Sequence, residues 1–384
     1  MQAENDEPEE ERGIVHRCGF QRQYRGHTRF VAGGSRVKRL LNTLFVTTQG
    51  SYLAREGETV LIRVEGETRI RVPIHTLGGI VCFGQVSVSP PLMELCGERQ
   101  VLISFMSEHG RFWARVQGPV NGNVLLRREQ YRRADDLAAS AAIARSIVAA
   151  KIANCKTVLM RGARDRPEDP GVEHLTTAAD WLTGQLETLR AVSAKDDGAL
   201  DAIRGIEGDA ARAYFGAFDH LISAQKNVFY FRERSRRPPL DPLNTLLSFL
   251  YTILAHDMQA ALEGVGMDPA VGFFHRDRPG RPSLALDIME ELRPFFVDRL
   301  VLSLVNRRQV NDKGFEKSES GAVIMKDDTR KEVLIAYQKR KQEEITHPFL
   351  DEKIALGLLP HVQAMLCARY LRGDLDAYPP FFWK

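Results

Sequence analysis

Residues 273–296, FFHRDRPGRPSLALDIMEELRPFF, concentrate chemistry-bearing side chains between two aromatic pairs. Pro279, Gly280 and Pro282 oppose early helix formation, and Ser283 is a natural N-cap for a helix starting at Leu284. On that helix Asp287 precedes Glu290 by three residues and Glu291 by four, spacings that put side chains on one face. Carboxylates crowded in this way repel unless a cation relieves them. One of Arg276, Arg278, Arg281 and Arg293 could supply it, or a divalent metal held by carboxylate oxygen and the His275 nitrogen.

A further carboxylate belongs with these. Downstream of Asp196-Asp197-Gly198, an apolar stripe of Ile203, Ala210, Tyr214 and Phe218 includes Glu207, which follows Ile203 by four residues and precedes Ala210 by three. A buried carboxylate without a partner costs several kcal/mol, so the fold must supply a cation there or raise the pKa. An arginine salt bridge in the helical core and a metal or catalytic role both satisfy that demand. Gly205 and Gly208 flank it and allow a backbone or ligand to come close.

These groups need elements to position them. Residues 1–37 form an acidic then basic-aromatic tail without periodicity, expected to be disordered. From 38 to 118, short apolar runs recur about every ten residues between Gly-rich turns, which predicts a small β-sheet domain with one buried face. Ile70, Val72 and Ile74 alternate with Arg69 and Arg71. From 119 to 384 the period lengthens to that of helices, predicted over 135–160, 176–193, 201–218, 243–262, 297–305, 329–343 and 350–370. Strands first and helices afterwards make the fold α+β, with a larger, mostly α-helical catalytic domain, and exclude a doubly wound sheet. The terminal AYPPFFWK is too apolar to float and is expected to dock on its own domain or a partner.

Two polar features flank the core of this domain. Arg232, Arg234, Arg236 and Arg237 are interleaved with aromatics in FYFRERSRRPP, a composition suited to phosphate contacts or to a solvated charged loop. Asn244, Ser248 and Tyr251 draw a polar line along an otherwise apolar helix capped by Asp241, and must meet a hydrogen-bonded neighbour or a site.

Composition narrows the class. A net charge of +3 rules out a uniformly basic surface, so any nucleic-acid contact comes from local clusters. Five dispersed cysteines without a Cys-x-x-Cys pair exclude a disulfide framework and a cysteine zinc site, and point to the cytoplasm. The longest strongly apolar stretch, around 246–255, falls short of the ~20 residues of a membrane span. The acidic N-terminus has no signal-peptide character.

Ile206-Glu207-Gly208 with its Ala-Ala-x-x-Tyr-Phe continuation, Phe274-His275 leading through PGRPS, and Leu286-Asp287-Ile288-Met289-Glu290 occur in that order. Together with LLNTLFVTTQGSYL and the NRRQ segment, this resembles the CRISPR-associated adaptation integrase, the metal-dependent DNA endonuclease of spacer acquisition, in its type I-C branch. The resemblance runs from about Arg39 to Lys384 and leaves out the tail. It implies metal ligands at Glu207, His275 and Glu290, with Asp287 as a supporting carboxylate, and it selects Glu290 over Glu291. It also implies Mg²⁺ or Mn²⁺, double-stranded spacer-precursor and repeat DNA, a homodimer, and a small ferredoxin-like partner subunit. Arg276, Arg278, Arg281 and the 232–237 arginines would then hold DNA strands, and Asn244, Ser248 and Tyr251 would line the pocket without ligating metal. A branched-DNA repair nuclease would use the same residues. A non-enzymatic DNA-binding scaffold would only pair its acids with arginines.

Overall fold

The structure, a computed structural model, describes residues 42–108, 112–116, 118 and 124–383. The N-terminal tail read from the sequence lies outside them. The architecture is α+β. A four-stranded sheet contains β1 (Asn42–Val46), β5 (Leu77–Phe83), β7 (Leu102–Met106) and β8 (Phe112–Val116) in that order, parallel except for the antiparallel β7–β8 pair. A second sheet has the order β4 (Glu67–Pro73), β3 (Thr59–Val64), β2 (Tyr52–Glu56), β6 (Ser87–Val88). Leu53, Val60, Ile62, Ile80 and Ile103 from the two sheets join Leu92 and Leu95 of α1 (Pro90–Glu98) in one core. The Ser89 side chain caps α1 by accepting from Leu92 N, a contact of about 1 kcal/mol. The alternation read in β4 does not all turn inward: Ile74 is buried and Val72 half-buried, but Ile70 is 50% exposed because β4 is a sheet edge.

The helical part begins with α2 (Val124–Asp135) and α3 (Leu137–Asp165), the latter capped by Asp136, whose carboxylate accepts from Ala138 N and Ala139 N. α4 (Val172–Ala191) and α5 (Ala199–Ala217) pack against α3. Of the described helices, α3 is long and apolar enough to cross a membrane, and most of that apolar window is buried in the protein. The length of α3 comes from a run of alanines interrupted by Arg145, Lys151 and Lys156, whereas 246–255 is the shorter, more strongly apolar stretch.

α6 (Pro242–Gly264) starts at Asp241, which accepts from Asn244 N, and carries a nearly continuous apolar surface onto α7 (Ser283–Met289) and α10 (Leu359–Leu371). Between α7 and α8 (Arg299–Asn306) lies a π-turn at Arg293–Asp298 rather than the single helix expected from 297. Pro294 has no N–H to offer the Glu290 carbonyl, which breaks the regular ladder there. The hairpin β9 (Phe315–Lys317) and β10 (Val323–Met325) turns at Gly321 and leads into α9 (Asp327–Gln342). The helix expected over 350–370 is shorter: β12 (Lys353–Ala355) pairs with β11 (Glu344–Thr346), and Pro360 then occupies the first turn of α10. At the C-terminus Tyr378, Phe381 and Phe382 are buried.

α9 ties the β-sheet part to the helices. Buried Arg330 donates to the Glu108 carbonyl and lies over the Phe83 ring, while Lys341 Nζ bridges Thr43 Oγ1 and Asp257 Oδ2 at 2.9 Å each.

Candidate active site

The three carboxylates on the 287–291 segment have separate partners. α7 ends at Met289, and the backbone then turns, sending Asp287, Glu290 and Glu291 into three different surroundings. Nor is Ser283 the N-cap: the helix includes it, and its hydroxyl turns to the Arg276 carbonyl at 3.5 Å.

Asp287 is fully buried and organises the loop before it. Its Oδ2 accepts from Phe273 N at 2.7 Å and Phe274 N at 2.9 Å, and its Oδ1 accepts from His275 N at 2.9 Å. The same Oδ1 stands 2.6 Å from His275 Nδ1. A carboxylate accepts and does not donate, so Nδ1 carries a proton, and in the neutral ring the lone pair is the one on Nε2. Phe273 and Phe274 anchor the loop in the core. Gly272 is required by the same approach, because a Cβ there would stand 2.6 Å from Asp287 Oδ2.

Glu290 and Glu207 meet through a cation that the sequence reading did not foresee. Lys151, on α3, sets its ammonium against the Glu207 carboxylate and 2.7 Å from Glu290 Oε2. Burial alone would strip its proton, but the Glu290 and Glu207 charges outweigh burial and raise its pKa. Arg293 grips the other Glu290 oxygen at 2.6 Å and lies over the Tyr251 ring. Burial pushes the Glu290 carboxyl upward, yet Arg293, Lys151 and His275 together hold it well below the usual carboxylate range. Asp201 joins α5 to the histidine loop by accepting from Arg204 at 2.7 Å and Arg276 at 3.3 Å, and Arg204 donates on to the Phe274 carbonyl. A Cβ added at Gly205 or Gly208 meets nothing within 4 Å, so α5 has free space at both glycines.

The polar line on α6 meets both a neighbour and the site. Arg234 donates to Asn244 Oδ1 at 2.6 Å and Ser248 Oγ at 3.1 Å and stacks on Tyr251. It is thus a structural cation, turned inward from its cluster, and burial lowers its pKa. Tyr251 Oη donates to Asp298 Oδ1 at 2.5 Å, and Tyr214 Oη donates to Asp298 Oδ2 at 2.9 Å. Arg232, Arg236 and Arg237 remain exposed, as do Arg276 and Arg278. The Arg281 pKa is lowered, first by burial and then by Arg278, with Arg237 and Arg293 adding to the effect. Of the arginines, Arg293 is the one that contacts Glu290.

Among the described residues no three His, Cys, Asp or Glu side chains stand together as a preformed cage for an ion. The donor types nevertheless fit a hard divalent cation: two carboxylates converge on one positive charge, and the His275 ring uses its Nδ1 toward Asp287. Glu290 Oε2 is buried and accepts no well-directed hydrogen bond despite its contact with Lys151. An oxygen in that condition gains from an ion. Lys151 and Asp298 escaped the sequence reading. A lone lysine in the alanine-rich IVAAKIANC run was the available signal, since an ammonium there must be buried.

The architecture is a small β-sheet part followed by a larger helical part, in which Glu207 and Glu290 meet on Lys151 and Asp287 holds His275. The family described as CRISPR associated protein Cas1 matches residues 44–339. The chain is 56% identical over 348 residues to a CRISPR-associated endonuclease Cas1 of Chlorobaculum tepidum, covering 91% of this chain and 100% of that protein. Its fold is similar to the structure of a Cas1 protein from Thermotoga maritima, with a TM-score of 0.72, 24% identity, and coverage of 87% of this chain and 97% of the other. It is also similar to a chain of a Cas6-RT-Cas1–Cas2 complex, with a TM-score of 0.74, 21% identity, and coverage of 91% of this chain and 37% of the other. The chain belongs to the Cas1 family of CRISPR-associated DNA endonucleases.

Proposed function

We propose that this protein is a metal-dependent DNA integrase and endonuclease of CRISPR spacer acquisition, with Glu207, His275 and Glu290 as its ion ligands. The observation that carries the reading is the meeting of Glu207 and Glu290 on one cation, Lys151, with His275 Nδ1 held by Asp287 on the segment that leads to Glu290. Glu207, His275 and Glu290 would hold Mg²⁺ or Mn²⁺, which would supply neutralisation of phosphate charge and a lowered pKa for the attacking hydroxyl. Asp287 fixes the ring tautomer, while Lys151 and Arg293 keep Glu290 ionised. Arg237, Arg278 and Arg281 bind the phosphates that flank the scissile position, and the Tyr251–Arg293 stack holds Arg293 over the acid.

The substrate pair is a spacer precursor with a free 3′-hydroxyl and the repeat DNA it attacks. Hydrolytic cleavage is the same displacement with water as nucleophile. The protein works as a homodimer in an adaptation complex with a small ferredoxin-like subunit. Support comes from family membership and from the occurrence of this fold in a Cas6-RT-Cas1–Cas2 complex. Half-site insertion of labelled 3′-hydroxyl DNA into a repeat, with Mn²⁺ or Mg²⁺, tests the reading. Glu207→Ala, His275→Ala and Glu290→Gln each abolish strand transfer; wild-type insertion by any one of them overturns the ligand assignment.

A further inference from the structure

The backbone that carries Glu290 is a one-turn junction between two helical elements, closed by tight three-residue hydrogen bonds in place of the α-helical ladder. α7 stops at Met289, the π-turn begins at Arg293, and Glu290–Leu292 span the break by short-range turns alone. Such a segment needs external fixation if its side chain is to stay within the ~0.5 Å that catalytic geometry tolerates.

The fixation comes from the last residues of the chain. The adjacent Glu291 is fully buried, and its Oε2 accepts from Phe381 N at 2.6 Å and Gln363 Nε2 at 2.8 Å. Its Oε1 accepts from Tyr378 Oη at 2.5 Å. Asn154 makes a second clamp: its Nδ2 donates to both the Glu291 carbonyl at 2.7 Å and the Phe381 carbonyl at 2.9 Å, and its Oδ1 accepts from Trp383 N at 2.8 Å. Asn154 lies on α3 three residues after Lys151, so one helix face touches both the Glu290 carboxylate and the Glu291 backbone. The Trp383 ring completes the attachment, with Arg161 at 4.2 Å and Arg299 at 4.6 Å from its centroid, and Phe381 packs on Phe295 of the π-turn at 4.9 Å.

We propose that the C-terminal segment from Tyr378 is a latch that positions Glu290 for ion binding, through Glu291 and Asn154. Tyr378 and Asn154 are positioning residues: neither touches substrate or ion. The inference rests on the reading of Glu290 as an ion ligand.

The test measures Mn²⁺ affinity by calorimetry in the full chain, in a chain ending at Ala377, in full-length Tyr378→Phe and in Glu290→Gln. The truncated chain loses at least tenfold in Mn²⁺ affinity, the usual scale for removing support behind a ligand. A synthetic peptide of residues 373–384 added in trans restores it. Tyr378→Phe shows a smaller loss at temperatures where circular dichroism reports it folded, which keeps the test decisive if the truncated chain does not fold. Unchanged affinity in a folded truncated chain, or in Tyr378→Phe if only that variant folds, overturns the latch. Unchanged affinity in Glu290→Gln overturns the ligand assignment instead, so the two failures are distinguishable.

Discussion

His275 Nδ1 lies 2.6 Å from Asp287 Oδ1, and that one contact decides which imidazole nitrogen is available to an ion. Asp287→Asn presents an amide that can donate as well as accept, releasing the tautomer. Mn²⁺ affinity and strand transfer are each expected to fall by about 10–100-fold while the fold persists. Gly272→Ala should act in the same direction by pushing the carboxylate away. An Asp287→Asn variant with wild-type affinity would refute the orienting role.

Lys151 neutralises two acids that a divalent ion would also neutralise. Lys151→Met leaves Glu207 and Glu290 facing each other without it. Without divalent ions the variant should melt well below the wild type, since removing one partner of a buried ion pair costs about 3–5 kcal/mol. Added Mn²⁺ should raise its Tm more than that of the wild type. Equal Mn²⁺ responses in a thermal shift assay would show that the lysine and the ion do not share these acids.

The arginines separate into two groups by what they touch. Arg237→Ala, Arg278→Ala and Arg281→Ala should each weaken DNA binding and reduce the slope of log affinity against log salt by about 1. Arg234→Ala should instead lower Tm, because its guanidinium is committed to Asn244, Ser248 and the Tyr251 face. Filter binding across a salt series, with melting curves, checks both.

Burial raises the Asp298 carboxyl to about 7, against donation from Tyr251 and Tyr214 and the nearby charges of Arg234 and Arg293. The folded state therefore binds this proton more tightly than the unfolded chain does. The resulting stabilisation is complete below the unfolded carboxyl range near pH 4 and is lost as pH rises toward 7, with a slope of up to about 1.4 kcal/mol per pH unit. Asp298→Asn should remove that part of the pH dependence. Chemical denaturation at intervals between pH 4 and 8 measures it; identical slopes in variant and wild type would contradict it.

The order of strands and helices was legible because period-2 and period-3.6 patterns are local. Glu207 was legible too, as a charge on an apolar stripe, and so was the Asp241 cap. What stayed hidden depended on contacts distant in sequence. Lys151 meets Glu290 across 139 positions of sequence, and nothing near either residue records the other. The divergence of Asp287, Glu290 and Glu291 follows from the helix ending at Met289, ahead of Pro294, where spacing rules for a continuous helix no longer apply. Arg234 read like its neighbours because composition does not tell which arginine of a run turns inward.

The central claim is that Glu207, His275 and Glu290 hold one divalent ion. Pulsed electron paramagnetic resonance of Mn²⁺-loaded protein reads it directly. The wild type should show coupling from a single histidine nitrogen that disappears in His275→Ala. Coupling that persists in His275→Ala, or is missing from wild type that performs strand transfer with the same Mn²⁺, would contradict the account.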